Sequence, residues 1–175
     1  MRLPLICGFL VSALPFAHAT TLQQLSLDDM AQKSTAIVRG TVQFTHGAIH
    51  GGNIYTHYTI QVVEQWKGAP ASQIDFVIPG GIANGLQQTI AGAPSLGNGQ
   101  EYVLFLWTSR TGLTHVIGLT QGVFVSSNGL VSRPAIAGSS LVSASGASVA
   151  DSGMQMTLPD LRSRVKAALS GGATH

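Results

Sequence analysis

The stretch from Ile54 to Gly68 constrains the fold more than any other part of the chain. It is rich in aromatic and β-branched residues, and it contains no Gly or Pro before its end. Two sets of side chains alternate along it: Ile54, Thr56, Tyr58, Ile60 and Val62 on one face, and Tyr55, His57, Thr59 and Gln61 on the other. A period of two is typical of a β-strand that is buried on one face. We therefore predict a long, half-buried strand that ends in a Lys67-Gly68 turn.

Shorter segments of the same character surround this strand. They are residues 36–45, 73–78, 88–91, 101–108, 114–119, 122–126 and 130–132. Gly40 lies inside the first of them and indicates a bulge, as barrels use where a strand bends sharply. Six to eight short strands with glycine-marked turns predict a mainly β fold. It is either a small antiparallel barrel of the OB-like type or a sandwich.

Two helices are predicted at the ends of the β region. Ser26 is a good N-cap for a short helix within Leu25–Ser34, and two aspartates follow it in the first turn. A C-terminal amphipathic helix begins near Thr157, with Pro159 at its start. Its apolar residues form one line along the helix: Leu158, Leu161, Val165, Ala168 and Leu169. This line predicts a helix that docks on the barrel.

The chain divides into four segments by composition. Residues 1–19 have a basic start, an apolar run and Ala17-His18-Ala19, which is typical of a signal peptide cleaved after Ala19. Residues 20–134 form the β-barrel domain, residues 135–153 are an Ala/Ser/Gly-rich linker, and residues 154–175 carry the C-terminal helix. We therefore expect an exported protein, located in a bacterial periplasm or outside the cell.

Charge and cysteine content exclude several classes of protein. The only cysteine, Cys7, lies in the signal segment, so the mature chain has no disulfide. Nine Lys and Arg residues nearly balance seven Asp and Glu residues, and no basic cluster lies beside aromatic residues. We expect no nucleic-acid partner. Beyond the signal, no apolar run is long enough for a membrane span.

Two glycine-rich segments, His46–Asn53 and Pro79–Gln100, are predicted to be loops. Loops on a rigid scaffold often carry the binding residues. The candidate binding residues lie in these loops or on exposed strand positions: Tyr55, His57, Trp66, Asn84 and Gln87. By contrast, strand phase places Tyr58 and Trp107 in the core.

No catalytic residue is predicted, and no cofactor. His46, His50 and His57 are the densest set of potential zinc ligands, but no Cys, Asp or Glu lies near them in the sequence, so we predict no metal site. No serine lies in a Gly-x-Ser-x-Gly elbow. Glu64 and Glu101 are the only plausible pair of carboxylates for glycoside chemistry, and each lies near a strand end.

The order of several short motifs carries a resemblance. These motifs are Ala36-Ile-Val-Arg-Gly-Thr-Val, Trp66-Lys67-Gly68, Pro79-Gly80-Gly81, Gly99-Gln-Glu-Tyr-Val-Leu-Phe-Leu and Gly118-Leu-Thr-Gln-Gly-Val-Phe. Over Leu25 to Val125 the chain resembles a family of uncharacterised exported bacterial β-barrel proteins, some of which are modules beside a secreted metalloprotease domain. It is also distantly similar to OB barrels of the netrin/metalloproteinase-inhibitor type. Those inhibitors act through an N-terminal cysteine and disulfides, which the mature chain lacks, so their mechanism does not carry over.

Three functions follow as hypotheses. The first is a non-catalytic exported module that contacts a secreted or periplasmic protein, a peptide or a glycan through its glycine-rich loops. The second is a metal-dependent or other hydrolase that uses the region of His46, His50 and His57. The third is an accessory module of a secreted protease system, which the resemblance alone implies.

Overall fold

A computed structural model describes residues 20–136 and 139–171 of the chain. The expected signal segment, residues 1–19, lies outside the described residues, as do residues 172–175 of the expected C-terminal segment. The strands and helices are β1 (Thr20–Gln23), α1 (Leu27–Lys33), β2 (Ala36–His50), β3 (Asn53–Lys67), β4 (Gln73–Pro79), β5 (Gly81–Ala83), β6 (Leu86–Gln88), β7 (Glu101–Thr108), β8 (Thr114–Val116), β9 (Val123–Ser127), β10 (Leu130–Arg133), β11 (Ser139–Val142), β12 (Ser148–Val149), β13 (Met154–Thr157) and α2 (Leu158–Gly171). The predicted mainly β fold with a short N-terminal and a C-terminal helix is confirmed.

The main sheet contains eight strands in the order β13-β10-β9-β7-β2-β3-β4-β8, and β8 also pairs with β7. The pairing of β2, β3, β4, β8 and β7 is therefore cyclic. All of these pairs are antiparallel except β4 with β8, which are parallel. A cyclic order of five strands fits the expected OB-like arrangement, which is a partly open barrel. β4 and β8 share only the pair Val77–His115, so the ring is not a continuously bonded barrel.

The first core lies on the inner face of these strands. Its fully buried side chains include Val42, Ile60, Phe76 and Leu104. Tyr58 is also buried there, which confirms the prediction for that residue. Each buried aliphatic or aromatic side chain contributes about 1.5–3 kcal/mol relative to an exposed one.

The second core lies on the other face of β7, under the two helices. Met30 from α1 and Leu161 from α2 pack here with Phe105 and Phe124 of the sheet. The strand β7 is thus covered on both faces, as its apolar sequence predicts. The predicted cap of α1 is also present: Ser26 Oγ accepts a hydrogen bond from the backbone N–H of Asp29, and the Asp29 carboxylate accepts one from the backbone N–H of Ser26. These two bonds satisfy backbone donors that the helix itself leaves unpaired.

The predicted loop His46–Asn53 is wrong. β2 continues to His50, and only Gly51 and Gly52 form the turn to β3, with φ of 58° and 82°. Positive φ at both residues belongs to the two-residue turns that match the twist of paired strands. The glycines in this stretch suggested a loop, but Gly47 is a strand residue. A Cβ there would lie 1.8 Å from the carbonyl oxygen of Ile82, so the close approach of β5 requires glycine.

The predicted bulge at Gly40 is present. The register between β2 and β3 shifts between Arg39 and Gly40, and a Cβ at Gly40 would lie 2.2 Å from the carbonyl oxygen of Gln61. Within the second predicted loop, Pro79–Gln100, the strands β5 and β6 form a small hairpin. The expected strand at Gln88–Ala91 is therefore displaced to Leu86–Gln88.

The Ala/Ser/Gly-rich segment 135–153 contains β11 and β12. β11 pairs in parallel with β1 and antiparallel with β12, which gives a separate three-stranded sheet. Near the end of the segment, Asp151 forms a bidentate ion pair with Arg133, at 2.6 and 2.8 Å. Low sequence complexity therefore does not mean an unstructured linker in the described part of this segment. In the ranges 20–136 and 139–171, no helix has the length and hydropathy needed to cross a membrane.

Candidate functional site

The pairing of the strands brings rings from distant parts of the sequence onto one outer face. His46 of β2 is opposite His57 of β3, and His57 is in turn opposite Val77 of β4. Val77 is opposite His115 of β8, and His115 is opposite Trp107 of β7. Directly opposed residues on neighbouring strands point to the same face of a sheet. This row therefore crosses all five strands of the ring.

Seven rings on this face form an unbroken chain of contacts, which we call the histidine–aromatic stripe. In order of contact they are Phe44, His46, His57, His50, Tyr55, His115 and Trp107, with centroid separations of 5.5, 4.8, 4.9, 6.0, 6.1 and 5.1 Å. Two of these contacts are stacked, His46 on His57 and His115 on Trp107. Ring pairs at such distances are mutually stabilising. The stripe is therefore a preassembled surface on rigid strands.

Both ends of the stripe are open to solvent. Phe44 is 57% exposed and Trp107 is 39% exposed. A shallow depression of about 270 Å³ lies at the Trp107 end, between Tyr55, Trp107 and His115. Exposed aromatic rings beside a depression provide apolar contact area for a ligand.

The surroundings of two histidines in the stripe lower their pKa values. Burial and the neighbouring imidazoles of His46 and His50 lower the pKa of His57, and Asp75 opposes this only in part. Burial also lowers the pKa of His115. A lowered pKa favours the neutral form, in which each ring can donate one hydrogen bond and accept another.

His50 and His57 make direct polar contact. Their Nε2 atoms are 2.8 Å apart, so one ring donates a hydrogen bond to the other. The direction of this bond depends on which tautomer each ring adopts. Across residues 20–136 and 139–171, no group of three or more His, Cys, Asp or Glu side chains is arranged to hold a metal ion.

The structure separates the predicted binding residues into three places. Tyr55 and His57 lie in the stripe. Trp66 lies at the far end of β3, where it is half-buried against the second core and donates from Nε1 to Glu64 Oε2 at 3.0 Å. Asn84 lies at the turn of the β5–β6 hairpin with φ of 51°, and Gln87 lines a depression of about 220 Å³ beside it. Because Gly47 meets Ile82 on the side of β2 away from His46, this hairpin covers the opposite face from the stripe.

The sequence patterns missed Trp107 and His115 as surface residues. Alternation along β7 places Trp107 on the same face as Phe105, which the helices bury. The helices do not reach as far as Trp107, so its predicted core position is wrong. Alternation identifies a face, but it does not show how much of that face a helix covers. The pairing of His115 with β4 is a contact between distant segments and has no local signal.

Glu64 and Glu101 belong to an ion network around Arg39. Arg39 donates to Glu101 at 3.0 and 3.2 Å and also pairs with Glu64, which Arg162 of α2 approaches at 3.3 Å. The hydrogen bond from Trp66 and the nearby arginines lower the pKa of Glu64, and the hydrogen bond from Arg39 lowers the pKa of Glu101. A general acid needs a raised pKa. These carboxylates join β2, β3, β7 and α2 and do not form an acid–base pair.

Searches against family models and against curated proteins find no match to this chain. The resemblance to exported bacterial β-barrel proteins and to inhibitor-type OB barrels therefore stays a prediction from the motifs.

Proposed function

We propose that this chain is a non-catalytic, exported binding module that contacts a protein, peptide or glycan partner. The observation that supports this best is the histidine–aromatic stripe. Seven rings are in continuous contact on the outer face of the sheet, and none of them belongs to either of the two cores. Exposed aromatic and imidazole groups are enriched where proteins recognise partners.

The proposed contact surface differs from the loop-centred expectation. Its side chains project from paired strands, and strands hold side chains more rigidly than loops do. Little conformational entropy is lost when such a surface binds. Tyr55, Trp107 and His115 would make the central contacts, because they surround the depression. Asn84 and Gln87 remain a second candidate contact region on the β5–β6 hairpin.

The ion network around Arg39 does not favour glycoside chemistry at Glu64 and Glu101. The two carboxylates that could have formed a pair are held ionised by arginine and tryptophan donors. The accessory role beside a secreted protease is a narrower version of the same binding function, and it rests on the resemblance alone.

Export is part of the proposal. Cleavage after Ala19 would leave Thr20 as the first residue, and β1 begins at Thr20. Every described strand and helix would therefore survive the cleavage. Mass spectrometry of the protein recovered from the periplasm or the medium would show whether Thr20 is its first residue.

A capture experiment tests the binding surface. Wild-type protein, the Tyr55→Ala/Trp107→Ala double variant and Leu130→Ala would each be immobilised and exposed to culture medium and to a glycan array. Leu130 is a matched control because it is 43% exposed but lies on β10, away from the ring of five strands. We expect a partner that wild type and Leu130→Ala retain and that the double variant loses. Equal retention by all three proteins would show that the stripe is not the contact surface.

A further inference from the structure

The tip of the β2–β3 hairpin brings two imidazole nitrogens together from opposite strands. His50 is the last residue of β2, directly before the Gly51-Gly52 turn, and His57 is the fifth residue of β3. His50 and His57 flank Ala48 and Tyr55, which are opposite each other on the same face. Alanine is the smallest side chain on this part of the face, so the two rings can approach above it. Their Nε2 atoms are 2.8 Å apart.

This separation is close to that of two neighbouring ligands on one metal ion. A zinc ion binds histidine nitrogen at about 2.0–2.1 Å, so two nitrogens on a tetrahedral or square ion are about 2.8–3.4 Å apart. The observed 2.8 Å lies at the short end of this range, so only small rotations of the two rings are needed. Imidazole nitrogen suits Zn²⁺, Ni²⁺ and Cu²⁺, whereas Mg²⁺ and Ca²⁺ prefer oxygen ligands.

We propose that His50 and His57 form a two-nitrogen site for a divalent transition metal, with the remaining coordination positions open to water. The inference does not depend on the proposed partner binding, because it concerns only the free chain.

His46 does not complete the site. Its ring is stacked on that of His57, with a centroid separation of 4.8 Å and an interplanar angle of 22°. Nitrogens in nearly parallel stacked rings do not converge on one ion. This agrees with the lack of any three-ligand group in the described residues. An ion at the pair would therefore keep exchangeable positions, as catalytic and interface metals do and closed structural zinc sites do not.

Titration calorimetry on untagged protein tests the site. Cu²⁺, Ni²⁺, Zn²⁺ and Mg²⁺ would be titrated at neutral pH into a His175→Gln background, which removes the histidine of the C-terminal tail. His50→Gln and His57→Gln are the test variants. His46→Gln and His115→Gln are matched controls on the same outer face. Thermal unfolding of each variant without metal establishes that it is folded.

We expect one Cu²⁺ per chain, weaker binding of Ni²⁺ and Zn²⁺, and no binding of Mg²⁺. Each test variant should weaken Cu²⁺ binding by at least roughly tenfold, since loss of even an outer-shell partner has that effect. The two controls should bind as the parent does. The proposal is overturned if the parent shows no saturable binding, if the test variants bind as well as the parent, or if His46→Gln loses as much affinity as they do. If His57→Gln does not fold, the metal affinity of His50→Gln tests the site by itself, because His50 is exposed at the end of β2.

Discussion

The ion pair between Arg133 and Asp151 supports a quantitative prediction about stability. Both side chains are nearly buried, at 9% and 7% exposure. Asp151 also accepts hydrogen bonds from the backbone N–H groups of Ile136 and Gly153, at 2.9 and 3.1 Å. The Arg133 hydrogen bonds, helped by these two N–H donors, lower the pKa of Asp151 from 3.8 to about 2. A change of this size corresponds to about 2.5 kcal/mol of folding free energy at neutral pH.

The perturbation is Asp151→Asn, which keeps the shape and removes the charge. Removing one partner leaves the other as an uncompensated buried charge, so we expect a loss of about 3–5 kcal/mol at pH 7. The sign of the pH dependence follows from the lowered pKa. The Asp151 contribution is fully present above the unfolded-state value of 3.8 and is lost as the pH falls towards the folded-state value of about 2.

Urea unfolding of wild type and Asp151→Asn, measured from pH 7 down to pH 2.5, checks both parts. The difference between the two proteins should be constant at neutral pH and should shrink by about 1.6 kcal/mol by pH 2.5, with most of the change below pH 4. A second variant, Arg133→Met/Asp151→Asn, removes the unpaired charge and should be more stable than Asp151→Asn alone. A difference below about 1 kcal/mol at pH 7, or one that does not change with pH, would refute the assigned strength of the pair.

Two further changes test close contacts. Gly47→Ala should destabilise the protein by about 1–3 kcal/mol, because its Cβ would lie 1.8 Å from the Ile82 carbonyl oxygen. Urea unfolding measures this against Gly97→Ala, where the nearest atoms are 3.9 Å away, and equal effects would contradict the packing. Ser26→Ala should cost about 0.5–2 kcal/mol through loss of the N-cap bond to Asp29. Thermal unfolding measures this cap, and an unchanged midpoint would show that the cap does not stabilise α1.

Local sequence patterns predict those elements in which the residue types and their spacing all indicate the same structure. Alternation from Ile54 onwards places β3 within one residue of its observed bounds, and Gly40 marks the bulge. The cap at Ser26 follows from residue types alone. In these elements, burial, propensity and turn chemistry agree, and such agreement makes local prediction dependable.

The candidate site depends on contacts that no local pattern contains. The glycines before Asn53 are equally typical of a loop and of a strand that another strand approaches closely. The close approach of Ile82 to Gly47 shows that this stretch is a strand, and that contact is long-range. Tyr55 and His57 could be identified as outward-facing from alternation. Their partners His115 and Trp107 could not, because the pairing of β8 with β4 and the reach of the helices are long-range properties.

The N-terminal strand has a consequence for the order in which the chain assembles. Thr20 pairs with Ser139, so β1 has no partner until more than a hundred further residues have been synthesised. The Gln121 side chain then fixes the following turn, donating to the carbonyl oxygen of Gln23 and accepting from the N–H of Leu25. Closing so long a loop is entropically costly, whereas the β2–β3 hairpin closes over two glycines. The first of the described strands to be synthesised is therefore among the last to be secured.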